Sequence, residues 1–223
     1  MNDPLKATHG IYAEFPAAEY RARISRVRAK MAQAGIDAAI LTTSENIRYY
    51  AGGPLTDLFV DSFNIFYLII PTNSAHEPIL LMSSGREGSS RTSWIRDRRF
   101  WGYDQNASII SQSLNISTAV DAVKKLGLER SVLGMELDCG QRLGMTLKEA
   151  QEFQASLPGA KFHPLSEIIW GLREIKSPAE MERLRRASAI TCHAFEQGFD
   201  ALRPGVTELE IASIVRASMF AQG

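Results

Sequence analysis

Few side chains in this 223-residue chain stand where they could do chemistry. Glu136 and Asp138 close the segment Gly134-Met135-Glu136-Leu137-Asp138. Two carboxylates at the carboxyl end of a strand in an α/β sheet can serve acid–base chemistry or hold a metal. No base or further metal ligand stands near them in sequence, so the pair reads as structural or solvated. The histidines are His9, His76, His163 and His193, and none has metal-ligand spacing to a cysteine, another histidine or an acidic cluster. Cys192 and His193 could suggest a thiol–imidazole pair. Neighbours on a helix do not face each other, so Cys192 is expected in a core and His193 at its edge. His163, beside Pro164, is expected to be structural. Gly85-Arg86-Glu87-Gly88-Ser89-Ser90 fits neither phosphate-loop pattern, and no Gly-x-Ser-x-Gly occurs. Read residue by residue, the chain holds no complete catalytic set.

Bulk composition excludes several classes. Hydrophobic residues make up 45% and charged residues 22%, the balance of a globular protein. Basic and acidic residues number 25 each, so there is no cationic excess for a nucleic-acid backbone. The first residues, Met1 to Ala7, lack the basic-then-apolar layout of a signal peptide. The apolar run Ile65 to Ile70 is far too short to span a bilayer, so no membrane partner is expected. Cys139 and Cys192 stand alone and form no disulfide framework, which fits a reducing, cytoplasmic setting.

The elements that must position these residues alternate. After an N-terminal arm over 1–14, Pro16 opens a helix with Tyr20, Ile24, Val27 and Met31 along one face. Arg21, Arg23, Arg26, Arg28 and Lys30 then form a solvated face, and Gly35 ends the helix. Strands are expected at 38–42, 65–70, 78–82, 100–103, 131–136 and 161–163. Helices or helical turns are expected at 44–50, 86–95, 111–126, 147–157 and 165–170. The alternation predicts an α/β domain over 15–170, a mixed six-stranded sheet flanked by helices. The tight turn between residues 70 and 78 requires an antiparallel pair.

The joint Leu172-Arg173-Glu174-Ile175-Lys176-Ser177-Pro178-Ala179-Glu180 follows. Ser177 caps a helix, Pro178 takes its first position and Glu180 closes a capping box. Met181, Leu184, Ser188, Cys192, Phe195 and Phe199 share one face of that helix. Pro204-Gly205 breaks the chain, and Thr207 with Glu210 starts a second helix. Residues 171–223 therefore read as a joint and two amphipathic helices that cannot form a core of their own.

This joint, with Leu184 and Ala187 behind it, resembles the link between the two domains of creatinase, prolidase and aminopeptidase P proteins, the pita-bread metallohydrolases. Gly35-Ile36-Asp37-Ala38-Ala39-Ile40-Leu41, Asn46-Ile47-Arg48-Tyr49-Tyr50-Ala51-Gly52 and Leu133-Gly134-Met135-Glu136 are similar to that family's N-terminal domain. Arg203-Pro204-Gly205-Val206-Thr207-Glu208-Leu209-Glu210-Ile211-Ala212 is similar to its first pita-bread helices.

The resemblance implies a creatinase N-terminal domain-like fold followed by the first helices of an incomplete pita-bread α+β domain. It implies the front portion of a hydrolase acting on Xaa-Pro peptides or a related small amide. The family's site holds two divalent ions (Mn, Co or Zn) on two Asp, one His and two Glu. None of those motifs occurs here, so no metal ligand and no catalytic residue is carried over, and the chain alone is expected to be inactive. The resemblance further implies a homodimer, with the loop from Gly53 to Asn64 projected toward a partner subunit's site. Asp57, Asp61 and Asn64 are the candidate substrate-loop residues. Ser62, Phe63 and Asn64 stand where creatinases tend to have an arginine, which weakens a creatinase-like reading. Two alternatives stay open: a creatinase-like or other non-peptidase hydrolase, and a naturally short, non-catalytic module for binding or dimerisation.

Overall fold

The computed structural model describes residues 15–52, 66–102 and 114–222. It has two compact units, one ending at Glu174 and the other beginning at Ile175.

The first unit is built on helix α1 (Ala17–Gln33) and strand β1 (Ala38–Leu41). Tyr20, Ile24, Val27 and Met31 are buried along one side of α1. The helix ends as its glycine requires. Gly35 has φ +68°. The Ile36 N–H donates to Met31 O at 2.9 Å and the Gly35 N–H to Ala32 O at 3.3 Å, the paired bonds of a Schellman cap. The basic face is not wholly solvated, contrary to its sequence pattern. Arg23 is only 2% exposed. Its guanidinium lies over the rings of Phe15, Tyr20 and Tyr49 and donates to Tyr49 O at 2.8 Å. Arg28 donates to Pro71 O and His76 O, fastening the turn between two strands to the helix. Burial lowers the Arg28 pKa, and the nearby Glu77 carboxylate opposes that shift. A long aliphatic stem lets either arginine lie on apolar surface while its head finds acceptors.

Helix α2 (Ser44–Ala51) precedes β2 (Tyr67–Pro71) and β3 (Ile79–Ser83). A 3-10 turn at Ser84–Arg86 leads into the short α3 (Glu87–Ser90), and β4 is Asp97–Trp101. The helix expected over 86–95 therefore stops at Ser90. Its serines offer the backbone other partners. Ser90 Oγ donates to Glu87 O and Ser93 Oγ to Ala51 O, while Trp94 Nε1 reaches Tyr50 O. The last two bonds tie the segment to α2 instead of continuing a helix.

Helix α4 (Asn115–Lys125), β5 (Val132–Met135), α5 (Leu147–Ala155), β6 (Lys161–Pro164) and α6 (Ser166–Glu174) complete the unit. The six strands form one sheet in the order β4-β3-β2-β1-β5-β6. β1 pairs antiparallel with β2 and β2 with β3, while the β1–β5, β3–β4 and β5–β6 pairs are parallel. The sheet is thus mixed and flanked by helices, as its alternating pattern predicts. β1, β2 and β3 are buried at every position because both faces are covered. Edge strand β6 is largely exposed and ends on Pro164, which has no N–H to offer another strand. Helix α6 runs four residues beyond the expected turn, so Leu172, Arg173 and Glu174 of the joint are helical.

In the second unit, α7 (Pro178–Asp200) starts with the expected capping box. The Ser177 N–H donates to Glu180 Oε2 at 2.8 Å and the Glu180 N–H to Ser177 Oγ at 3.2 Å. Helix α8 (Glu208–Gln222) starts the same way from Thr207 and Glu210. The contact face of α7 differs from the expected stripe. Its buried positions are Ala194 and Gly198, and an added Cβ at Gly198 would stand 2.7 Å from Val215 Cγ2 of α8. Small residues let the helices approach closely, which turns Met181, Leu184, Phe195 and Phe199 outward. Cys192 is exposed too, not in a core, because that close-approach face excludes it.

Gly134 shows how tightly the first unit closes. An added Cβ there would stand 2.5 Å from Leu165 Cγ, and Leu165 is wholly buried. Gly134→Ala should therefore destabilise by about 1–3 kcal/mol through overpacking. Combined with Leu165→Ala it should cost less than the sum of the two single changes, because the second truncation makes room for the first. Urea unfolding of the four proteins checks this, and strict additivity would remove the steric account.

Candidate functional site

The polar centre of the first unit lies where β1 and β5 end. The strands are parallel, so the residues that follow them, Thr42 and Glu136, emerge on the same edge of the sheet. Glu136 is 2% exposed. Its Oε2 accepts from the Thr42 N–H and Thr42 Oγ1, each at 2.7 Å, and from the Thr43 N–H at 3.1 Å. Its Oε1 accepts from Thr43 Oγ1 at 2.5 Å and from Asn46 Nδ2 at 2.6 Å. One carboxylate thereby satisfies the chain as it leaves β1 and enters α2.

The cluster extends outward through Asn46. Its Nδ2 also donates to Gln141 Oε1 at 2.7 Å, and its Oδ1 accepts from Arg173 Nη1 at 2.8 Å. The Arg173 guanidinium lies 5.5 Å from the Tyr49 ring centroid and 5.6 Å from that of Trp170. Trp170 Nε1 donates to Gly140 O, and Ser166 Oγ donates to Asp138. Thr42 Oγ1 also accepts from the Gly144 N–H at 2.8 Å. An added Cβ at Gly144 would stand 2.3 Å from Thr42 O, so only glycine permits this approach. Tyr50 packs edge-on against Tyr49, their centroids 4.8 Å apart. Burial raises the Tyr50 phenol well above its ordinary pKa. Tyr49 adds to the rise, while Arg173, Arg26 and Arg23 oppose it.

Chemically, the Glu136 carboxylate is fully engaged within the fold. A carboxylate with five donors has no lone pair left to take a proton from substrate or to bind a cation. Asp138, the second carboxylate of the sequence pair, is engaged by Ser166. Among the described residues, no group of three or more His, Cys, Asp or Glu side chains is placed to hold a metal ion. The donor set therefore does not fit a dinuclear centre. His163 turns its Nδ1 to Pro164 O, and His193 contacts Gln197 and Glu196, so neither joins the cluster. The first unit also carries a groove of about 460 Å³ walled by Arg21, Arg28, Glu77 and Trp94, and the second an apolar one of about 610 Å³ lined by Phe195, Leu202, Ile211 and Val215. Among the described residues, no helix is long and apolar enough to cross a membrane.

The candidate substrate-loop residues Asp57, Asp61 and Asn64 lie outside the described residues. Sequence reasoning singled out Glu136 but missed its partners Thr42, Thr43 and Asn46, and the Gln141 and Arg173 that Asn46 brings to the cluster. A carboxylate closing an apolar strand was the signal, because such a group must find donors. Asp37 accepts from the Val132 N–H at 2.8 Å and ties β1 to β5. Gly52 has φ +68°, and a Cβ there would stand 2.7 Å from Tyr20 Cζ.

The first unit is thus a mixed-sheet α/β domain with a saturated carboxylate at its centre and a fastened C-terminal helix. Residues 23–175 match the creatinase/prolidase N-terminal domain family, and the chain belongs to it. The creatinase of Bacillus sp. strain B-0618 is 29% identical over 202 residues, 89% of this chain and 44% of that protein. The ectoine hydrolase of Halomonas elongata is 25% identical over 213 residues, 89% of this chain and 48% of that protein. The solved Xaa-Pro dipeptidase from Bacillus anthracis superimposes with a TM-score of 0.67 at 25% identity, covering 92% of this chain and 50% of that one. The chain spans about half the length of the relatives it matches.

Replacing Glu136 tests the centre. Glu136→Leu strips five donors of their acceptor and should cost at least about 3 kcal/mol, since each buried unsatisfied group costs roughly 1–3 kcal/mol. Urea unfolding measures it; a loss below about 1 kcal/mol, less than one such group, would mean that the donors find other acceptors.

Proposed function

We propose that this chain is the N-terminal portion of a pita-bread metallohydrolase, an Xaa-Pro peptidase of the prolidase or aminopeptidase P kind. The observation that carries this reading is the family match over residues 23–175 in a chain half as long as its relatives, an Xaa-Pro dipeptidase among them. In this reading the protein is cytoplasmic and homodimeric and acts on small peptides. Two divalent ions, Mn, Co or Zn, are bound by residues other than those described here. In such an enzyme they lower the pKa of a bridging water. This chain's own part is to hold the fold, to assist dimerisation and to shape the partner subunit's site through Asp57, Asp61 and Asn64. A second reading, a non-peptidase hydrolase of a small amide, is favoured by the creatinase and the ectoine hydrolase among the relatives.

The purified 223-residue chain should release no proline from Xaa-Pro dipeptides with Mn²⁺, Co²⁺ or Zn²⁺ added; measurable release would overturn its assignment as a non-catalytic portion. The gene read past codon 223 decides the rest. Its product should cleave Xaa-Pro dipeptides when tested beside creatine and ectoine. Turnover of creatine or ectoine alone would favour the second reading, and a stop at codon 224 would leave a binding or dimerisation module. In an active product, alanine at Asp57, Asp61 or Asn64 should raise KM or lower kcat by about tenfold or more, the loss of one positioned polar contact. Unchanged kinetics in all three would remove these residues from the substrate loop.

A further inference from the structure

We propose that Asn46 and Arg173 are positioning residues that hold the last turn of α6, and with it the point where the chain leaves the first unit. The purpose of such an anchor rests on the hydrolase reading above, in which a second domain must be carried at a fixed place. Its geometry does not depend on that reading.

Helix α6 has nine residues, too few to be stable on helix propensity alone. Tertiary contacts must hold it, and its burial falls from start to end. Its start is well fastened. Leu165, just before it, and Ile169 are wholly buried, and Ser166 donates to Asp138. Its end is not buried in this way. Trp170, Gly171 and Glu174 are exposed, and Leu172 is only partly covered. Helix ends fray, so a last turn at the surface needs a specific tie to stay in place.

Arg173, the next-to-last residue of α6, supplies that tie. Its Nη1 lies 2.8 Å from Asn46 Oδ1, and its guanidinium lies against the rings of Tyr49 and Trp170. Each holding group is itself held. Asn46 has both Nδ2 hydrogens engaged, by Glu136 and by Gln141, so its Oδ1 presents one fixed acceptor. Tyr49 also carries the buried Arg23 guanidinium 4.2 Å from its centroid. Trp170 is tied to Gly140 O. One amide therefore connects the end of α6 to the carboxylate that organises the sheet edge. A guanidinium suits this task better than an ammonium, because its plane can stack while its edge donates.

Limited trypsin digestion of the whole 223-residue chain tests the anchor. The readout is the rate of cleavage after Lys176, followed by mass spectrometry. Arg173→Met leaves the Glu136 cluster intact, and Asn46→Leu removes the acceptor. Val123→Ala, a change in the core of α4, serves as a control for global destabilisation; thermal unfolding places the variants on one stability scale. At matched stability, Arg173→Met should raise the cleavage rate by about tenfold over the control, because local opening is governed by the lost charged hydrogen bond. Arg173→Lys should fall between wild type and Arg173→Met. Asn46→Leu should match Arg173→Met if it folds, and Arg173→Met carries the test if it does not. Cleavage after Lys176 no faster in Arg173→Met than in Val123→Ala would overturn the proposal. No substrate enters this assay, so its failure is separate from failure of the hydrolase reading.

Discussion

The first unit depends on one carboxylate. Glu136 follows β5, and the backbone it satisfies follows β1, the parallel neighbour. At such an edge the chain turns from sheet to helix, and its N–H groups lose their ladder partners. An acceptor must replace them, because a buried N–H without one costs as much as a lost hydrogen bond. Glu136 meets that need for Thr42 and Thr43 together and takes their hydroxyls and Asn46 as well. The same bonds that stabilise the edge use up the carboxylate's acceptor capacity. A group in that state cannot act as base or metal ligand, so the most conspicuous acid in the chain serves architecture.

Arginines carry this organisation outward. Arg23 and Arg173 approach the same ring, Tyr49, from α1 and from α6. Arg28 draws the β2–β3 turn onto α1 through two carbonyls. Each places a cation where its stem covers apolar surface and its head meets carbonyl, amide or π-electron density. The helices are thereby joined by directional contacts as well as by apolar packing. Directional contacts specify geometry more sharply than apolar burial, which is tolerant of small shifts.

The second unit follows a different rule. α7 and α8 meet through small residues at Ala194 and Gly198, so the backbones approach closely while the large side chains point away. In this packing Phe199 remains 67% exposed. The relatives of this chain are about twice its length, and the family to which it belongs is defined by the domain that the first unit forms.

The sequence by itself determined the elements whose causes are local. The 3.6-residue period of Tyr20, Ile24, Val27 and Met31, the glycine at 35 and the capping boxes at Ser177 and Thr207 each act within a few residues, and each is found as read. The apolar runs at 38–42 and 78–82 were legible as buried strands for the same reason, as was the mixed six-stranded sheet. What only the tertiary structure decided involves partners far apart in the chain. Glu136 meets Thr42 and Asn46 across about ninety residues, and Asn46 meets Arg173 across 127. No periodicity encodes such pairings; they arise when parallel strands bring their ends together. The same holds for the burial of Arg23, the exposure of Cys192 and the early stop of α3. In each case a hydrogen bond or close contact from another element outweighed a local preference of about 1 kcal/mol or less.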